Sequence, residues 1–264
     1  MNVSIESREL KHLEIISDSE FCDPSYNMAK IIRLSTPKLI SFICSAYMVQ
    51  EYCLENLSSL VTATIQMTNE GNWLEGVDLE LSVEEQKELY PKRMVEYLRG
   101  LHNVKELTVS SPDFVQVLGR SSILIAVQSS PQFCNLRCLK LQAPFTRCCL
   151  RGMTYLLKTS PSVEYLFLTR LESGLLDIDA DGELGLALPC PMFHLKHVEI
   201  RDVQGCENEH KFLEFLLKNA IVLGKLVMSF DTTASANRRK LMKKFKEKLR
   251  TLPRASLSLT TIFL

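Results

Sequence analysis

One motif recurs along this chain and dictates what it can fold into: an apolar residue, two variable ones, an apolar residue, one variable, an apolar residue. It stands at Leu10-Leu13-Ile15, Leu39-Phe42-Cys44, Val104-Leu107-Val109, Leu136-Leu139-Leu141, Val163-Leu166-Leu168, Leu195-Val198-Ile200 and Leu223-Leu226-Met228. A looser copy begins at Leu57-Leu60 with Ala63 and Ile65 behind it, and Leu257-Leu259 closes the series. Alternation over the last three residues of each motif is the period-two pattern of a strand with one face buried. The first positions lie 29 residues apart from Leu10 to Leu39, then 18 to Leu57, 47 to Val104, and 32, 27, 32 and 28 onward to Leu223.

Helical rhythm fills the gaps. Glu209 to Leu217 carries Phe212, Phe215 and Leu216 at helical spacing, with Glu207 and Glu209 near its start, where carboxylates complement the helix dipole. Leu150 to Lys158 has the same rhythm and stops before Ser160-Pro161, and Lys92 to Gly100 ends on a glycine suited to a C-terminal cap. A strand and a helix every ~30 residues cannot bury an apolar face alone, so neighbours must stack. The expected fold class is α/β: an irregular leucine-rich-repeat solenoid, a curved and mainly parallel sheet with helices on the convex side. Two segments break the rhythm. Asn69 to Tyr90 holds seven acidic residues against one lysine together with the only tryptophan, Trp73, and predicts an extended loop or helix. Glu172 to Pro191 is an acidic insertion that predicts an exposed loop.

Composition narrows the function classes. Lys+Arg and Asp+Glu both total 31, so the net charge is zero, against the basic balance of a chain that binds nucleic acid over its whole surface. Nine cysteines form an odd set without tight spacing, and Met1 to Leu10 lacks the basic start and apolar stretch of a secretory signal. The densest apolar region, Leu39 to Leu54, is interrupted by Gln50 and Glu51 and falls short of the ~20 residues a membrane span needs. A reducing cytoplasmic or nuclear location is expected, with no membrane and no nucleic acid as partner.

The stretch from His194 to Met228, HLKHVEIRDVQGCENEHKFLEFLLKNAIVLGKLVM, resembles the FBD domain of plant F-box and leucine-rich-repeat proteins. Leu252-Pro253-Arg254-Ala255-Ser256, after a basic helix and before a short last strand, resembles the way that domain closes. Upstream motifs such as Leu57 to Met67 are similar to the irregular repeats that precede it. The resemblance implies irregular repeats over residues 1–190 and an FBD domain over 191–264 that continues the solenoid and caps its C-terminus. It further implies the substrate-recognition arm of an SCF-type ubiquitin ligase, binding an unidentified protein. Relatives that carry an F-box dock the Skp adaptor through it. Leu10 already belongs to a repeat strand, so no F-box is expected here and Skp docking is not carried over. The resemblance brings no catalytic residue.

Other chemistry is thin. Asp177-Ile178-Asp179-Ala180-Asp181-Gly182 begins like a calcium loop, but its twelfth position is Leu188 where a bidentate Glu is needed. Cys190, His194, His197 and Cys206 are zinc-type ligands without the spacing of a finger, and the strand motif already accounts for His197's place. No metal site and no cofactor is therefore expected. Asn237 to Arg254 has nine Lys or Arg against Glu247 alone, with Leu241, Phe245, Leu249 and Leu252 in one stripe. It predicts a capping helix whose stripe faces the core. No G-x-S-x-G, P-loop, G-x-G-x-x-G or H-E-x-x-H occurs, so no enzyme is expected.

The variable residue between the last two apolar positions of each motif points out of the sheet. Those residues are Glu14, Ile43, Val61, Thr108, Lys140, Phe167, Glu199 and Val227, the expected protein-binding row on the concave face. The sequence thus predicts a non-catalytic protein-interaction module. A truncated family member without a ligase role, acting as competitor or as degenerate product, is the alternative, and a calcium or acidic-lipid binder a more distant one.

Overall fold

The structure is a computed structural model that describes residues 2–16, 31–48, 50–68, 83–120, 132–172, 190–230 and 236–264. The motif strands are β2 (His12–Ile16), β4 (Ser41–Tyr47), β6 (Thr62–Thr68), β7 (Glu106–Val109), β8 (Cys138–Ala143), β9 (Tyr165–Arg170), β10 (His197–Val203), β11 (Lys225–Phe230) and β12 (Thr260–Phe263). They form one nine-stranded sheet, every pair parallel, in the order β12-β11-β10-β9-β8-β7-β6-β4-β2. Each strand lies beside the next motif strand in the chain, as a repeat of one supersecondary unit requires.

The register follows from the motif. Leu13, Phe42, Ala63, Leu107, Leu139, Leu166, Val198 and Leu226 face one another in a single row, and from Phe42 onward all are buried. The first apolar residue of each motif sits in a tight turn before its strand. In five units its N–H donates to the carbonyl three residues back: Leu39 to Thr36 at 3.1 Å, Leu60 to Leu57 at 3.1 Å, Val104 to Leu101 at 3.1 Å, Leu136 to Phe133 at 3.3 Å and Val163 to Ser160 at 3.3 Å. The residue after that turn supplies a carbonyl that accepts two N–H groups from the next unit. Ile40 accepts from Val61 and Thr62, Val61 from Lys105 and Glu106, Lys105 from Arg137 and Cys138, and Arg137 from Glu164 and Tyr165. This column locks the register, because an unpaired buried backbone group would cost as much as a lost hydrogen bond.

Two expectations change at this point. The unit starting at Leu57 starts instead at Leu60, since Leu60, Ala63 and Ile65 occupy the three apolar positions. Val61 consequently stands before β6, in the carbonyl column, and Thr64 takes its place in the outward row. The last motif shifts too. Leu257 is fully exposed, while Thr261 and Phe263 stand opposite Leu226 and Met228.

Opposite the large sheet, helices were expected throughout, and the first units carry strands there instead. β1 (Asn2–Glu6), β3 (Ile31–Ser35) and β5 (Glu51–Glu55) form a parallel three-stranded sheet in the order β1-β3-β5. Asn2 faces Ile31 and His12 faces Ser41, an offset of 29 in both sheets; the next offsets are 20 in the small sheet and 21 in the large one. A unit that short has no room for a helix of several turns plus two connections. From there on helices take over: α1 (Val83–Gly100), α2 (Pro112–Arg120), α3 (Arg147–Lys158), α4 (Glu207–Asn219) and α5 (Ala236–Arg250). α1 packs on β5 and α2, α2 on α3, α3 on α4, and α4 on α5. The side chain of Thr146 caps α3 by accepting from the Cys149 N–H at 3.3 Å. No helix among the described residues is long and apolar enough to cross a membrane.

The core lies between the two layers, running from Ile32 and Leu34 to Phe245 and Leu249. Trp73, most of the acidic stretch Asn69–Tyr90 and most of Glu172–Pro191, including the Asp177 loop, lie outside the described residues.

Candidate functional site

A parallel sheet in register turns one residue per strand into a line on its open face. The observed row is Glu14, Ile43, Thr64, Thr108, Lys140, Phe167, Glu199, Val227 and Ile262. Seven of the eight expected residues share it; Val61 does not, and Thr64 and Ile262 join. All project from the side opposite the helices, and most are half-buried; Glu14 is exposed and Val227 buried. Two residues earlier on each strand a second row runs parallel, with Glu106, Cys138, Tyr165 and His197 on adjacent strands.

Where the rows meet on β9 and β10 they form an aromatic cluster. The rings of Tyr165 and Phe167 lie 6.3 and 5.8 Å from the His197 ring, and Tyr165 is 43% exposed. Paired charges flank it. On one side Lys140 Nζ donates to Glu106 Oε1, and this hydrogen bond raises the lysine above its ordinary value, so the amine stays charged. On the other side Arg201 Nε donates to Glu199 Oε1 at 2.7 Å, with His197 Nε2 3.9 Å from the second Glu199 oxygen. Below the rows, Lys196 Nζ donates to Glu164 at 2.7 Å and Arg137 approaches the same carboxylate at 3.6 Å. The Lys196 hydrogen bond holds the Glu164 carboxyl below the usual range. Towards β4 and β6 hydroxyl and amide groups interleave with Ile43 and Tyr47, and Ser45 Oγ donates to Gln66 Oε1 at 2.7 Å.

This arrangement can offer contact surface. Rings offer a partner's apolar side chain an anchor, and neutralised charge pairs around them give orientation without a large desolvation cost. The Cys138 thiol on the same face is raised by burial and is therefore protonated and a poor nucleophile. Among the described residues no group of three or more His, Cys, Asp and Glu is placed to hold a metal ion. The four zinc-type residues are apart in role. Cys190 donates its N–H to Asn219 Oδ1, His194 is exposed, His197 belongs to the aromatic cluster, and Cys206 is the N-cap of α4.

Sequence reasoning found Phe167 and missed Tyr165 and His197 as members of the face. The signal was present, since period two carries the open face from Phe167 to Tyr165 and from Glu199 to His197. It gave no hint of a cleft of about 570 Å3 between β5 and α1, lined by Tyr52, Leu54, Lys92, Arg93, Tyr97 and His102 among others. Arg93 lies 3.8 Å from Glu51 there.

Residues 187–228 match the family model named FBD, over the same region, His194 to Met228, in which the sequence resembles that domain. The chain is similar to an F-box/FBD/LRR-repeat protein of Arabidopsis thaliana, 31% identical over 143 residues. That similarity covers 54% of this chain and 30% of the relative's length. No solved structure matches.

Proposed function

We propose that this chain is a non-catalytic protein-interaction module: a leucine-rich-repeat solenoid, irregular over residues 1–190, whose FBD domain over 191–264 continues the stack and closes it. Its partner is a protein, bound on the open face of the nine-stranded sheet. The observation that carries this reading is the cluster of exposed Tyr165 with half-buried Phe167 and His197, in register on adjacent strands and bordered by Glu106–Lys140 and Glu199–Arg201. Exposed aromatic groups bordered by paired polar ones are the composition of an interface centre. The F-box in the relative's name supports a role as the recognition arm of an SCF-type ubiquitin ligase, in the cytoplasm or nucleus. Membranes and nucleic acid are not among the proposed partners.

The test is quantitative affinity capture from plant cells with the wild-type chain and with the double variant Tyr165→Ser/Phe167→Glu. The melting temperature should stay within a few degrees while a defined set of captured proteins disappears. Capture of an unchanged set rejects the sheet face as the binding surface. Whether the Skp adaptor and cullin are in the wild-type set decides between a ligase arm and a binding module outside the ligase.

A further inference from the structure

The chain is neutral as a whole, yet Asn237–Arg254 holds nine Lys or Arg and one acid, a surplus of eight cations balanced by a surplus of eight acids elsewhere. The structure shows what that segment spends its residues on. Phe245 and Leu249 of α5 are buried, with Met242 and Leu252 packed against the same core. The Phe245 ring meets His210 of α4 edge-on at 6.2 Å and Phe230 of β11 at 6.5 Å. Of the expected stripe Phe245 and Leu249 are buried and Leu252 is partly buried, while Leu241, at its N-terminal end, is 46% exposed.

Two cations are also engaged. Lys246 Nζ lies 4.5 Å from the centre of the Phe230 ring and 4.8 Å from that of Phe263, and Lys248 Nζ is 3.4 Å from Glu207. Lys240, Lys243, Lys244, Arg250 and Arg254 are exposed and have no carboxylate within 4 Å among the described residues. Lys240, Lys243, Lys244 and Glu247 fall at offsets of three, four and seven, so they share the face of α5 turned away from the core.

We propose that this outer face of α5 is a second docking site, for an acidic protein segment rich in Asp and Glu. Charge complementarity argues the partner's sign, and the surroundings argue its class. Insertion into a membrane needs a whole apolar stripe of an amphipathic helix, and here the core takes Phe245 and Leu249 and leaves Leu241 as the one exposed large apolar side chain of α5. A long nucleic acid would run past the basic face onto an acid-rich remainder, and α5's one aromatic residue, Phe245, is inside. A short acidic peptide meets only the local field, since screening confines it to about 8 Å at physiological ionic strength. The site is separate from the sheet face and stands or falls without it.

The experiment uses the full chain and a fluorescent ten-residue Asp/Glu peptide, followed by anisotropy at rising salt. Phosphatidylserine vesicles and a short DNA duplex serve as competitors. The variant Lys240→Gln/Lys243→Gln/Lys244→Gln/Arg250→Gln should bind about tenfold more weakly, and wild-type affinity should fall steeply with salt. Glu247→Lys removes the single acid of the face without touching the core, and it should bind the peptide severalfold more tightly even if the quadruple variant fails to fold. Equal affinity of Glu247→Lys and wild type overturns the proposal. So does absence of peptide binding at low salt, or tighter binding of the vesicles or duplex than of the peptide.

Discussion

At the scale of single residues, the most consequential side chain is one that the sequence marked only as a carboxylate near a helix start. Glu209, in the first turn of α4, is 1% exposed. Its oxygens accept the N–H groups of Gln204 at 3.1 Å, Gly205 at 2.6 Å and Cys206 at 2.9 Å, and Arg170 Nε of β9 stands 3.5 Å away. It thereby fixes the turn between β10 and α4, where Gly205 adopts φ +78°, a conformation that side chains resist. Glu209→Ala leaves three donors without their acceptor and a guanidinium without its counter-charge, and it should cost about 3 kcal/mol in urea unfolding. Glu209→Gln, which keeps an acceptor, should cost less. The neighbouring His210 titrates the same region. Burial, and then the charge of Lys248, depress its imidazole below the ordinary value near 6.5, against weaker opposing effects of Glu207 and Glu214. Below that value the unfolded chain takes up a proton that the folded chain resists, so stability present at neutral pH is lost progressively as pH falls. His210→Phe should flatten the slope of unfolding free energy against pH between 7 and 5; an unchanged slope would assign the acid sensitivity to other groups.

At the scale of elements, legibility in the sequence tracked how strongly each element's two faces differ. The motif strands declared themselves because one side is apolar and the other variable, and α3 and α4 because their stripes repeat. α2 was passed over although Asp113, Gln116 and Arg120 fall at offsets of three and seven: its nine residues make only about two and a half turns, too short a run for the stripe to repeat. The small sheet was missed for another reason. Asn2–Glu6 and Ile31–Ser35 alternate as strands do, but a search for one strand per unit assigns the rest to helices. The chain length between Ser41 and Thr62 could have excluded that. Between α2 and α3 two glycines let the backbones come close. A Cβ on Gly119 would lie 1.7 Å from the Cys148 carbonyl oxygen, and one on Gly152 would lie 2.1 Å from that of Val115. Gly152→Ala must push the helices apart and should cost about 3 kcal/mol in chemical unfolding. Gly224→Ala is the control, because its Cβ would meet nothing nearer than 3.7 Å, and it should be almost neutral.

At the scale of the whole molecule, the candidate face was half legible: the sequence names a row, and only the register shows which residues complete it and where aromatics gather. The same register imposes a gradient of stability. Equivalent positions in the first two units differ in burial. Val3, Ile5, Leu10, Leu13 and Ile15 are partly buried, whereas their counterparts Ile32, Leu34, Leu39, Phe42 and Cys44 are buried. The cause is position, since β1 and β2 stand at the ends of their sheets and receive neighbours on one side. Contacts in such a fold run mainly between adjacent units, so each unit's stability is set by its own core and its two interfaces. A unit with one interface and half-buried apolar groups opens first. Native-state hydrogen exchange should therefore find the amides of β2 exchanging by local opening, and those of β7 to β10 only near the free energy of global unfolding. Leu13→Ala should speed exchange in β1 and β2 while leaving β8 unchanged, whereas Leu139→Ala, at the same position in a central unit, should lower protection on both sides of it. Equal protection along the sheet would mean that the units unfold as one cooperative block, and the residue costs argued above would then be felt throughout the chain.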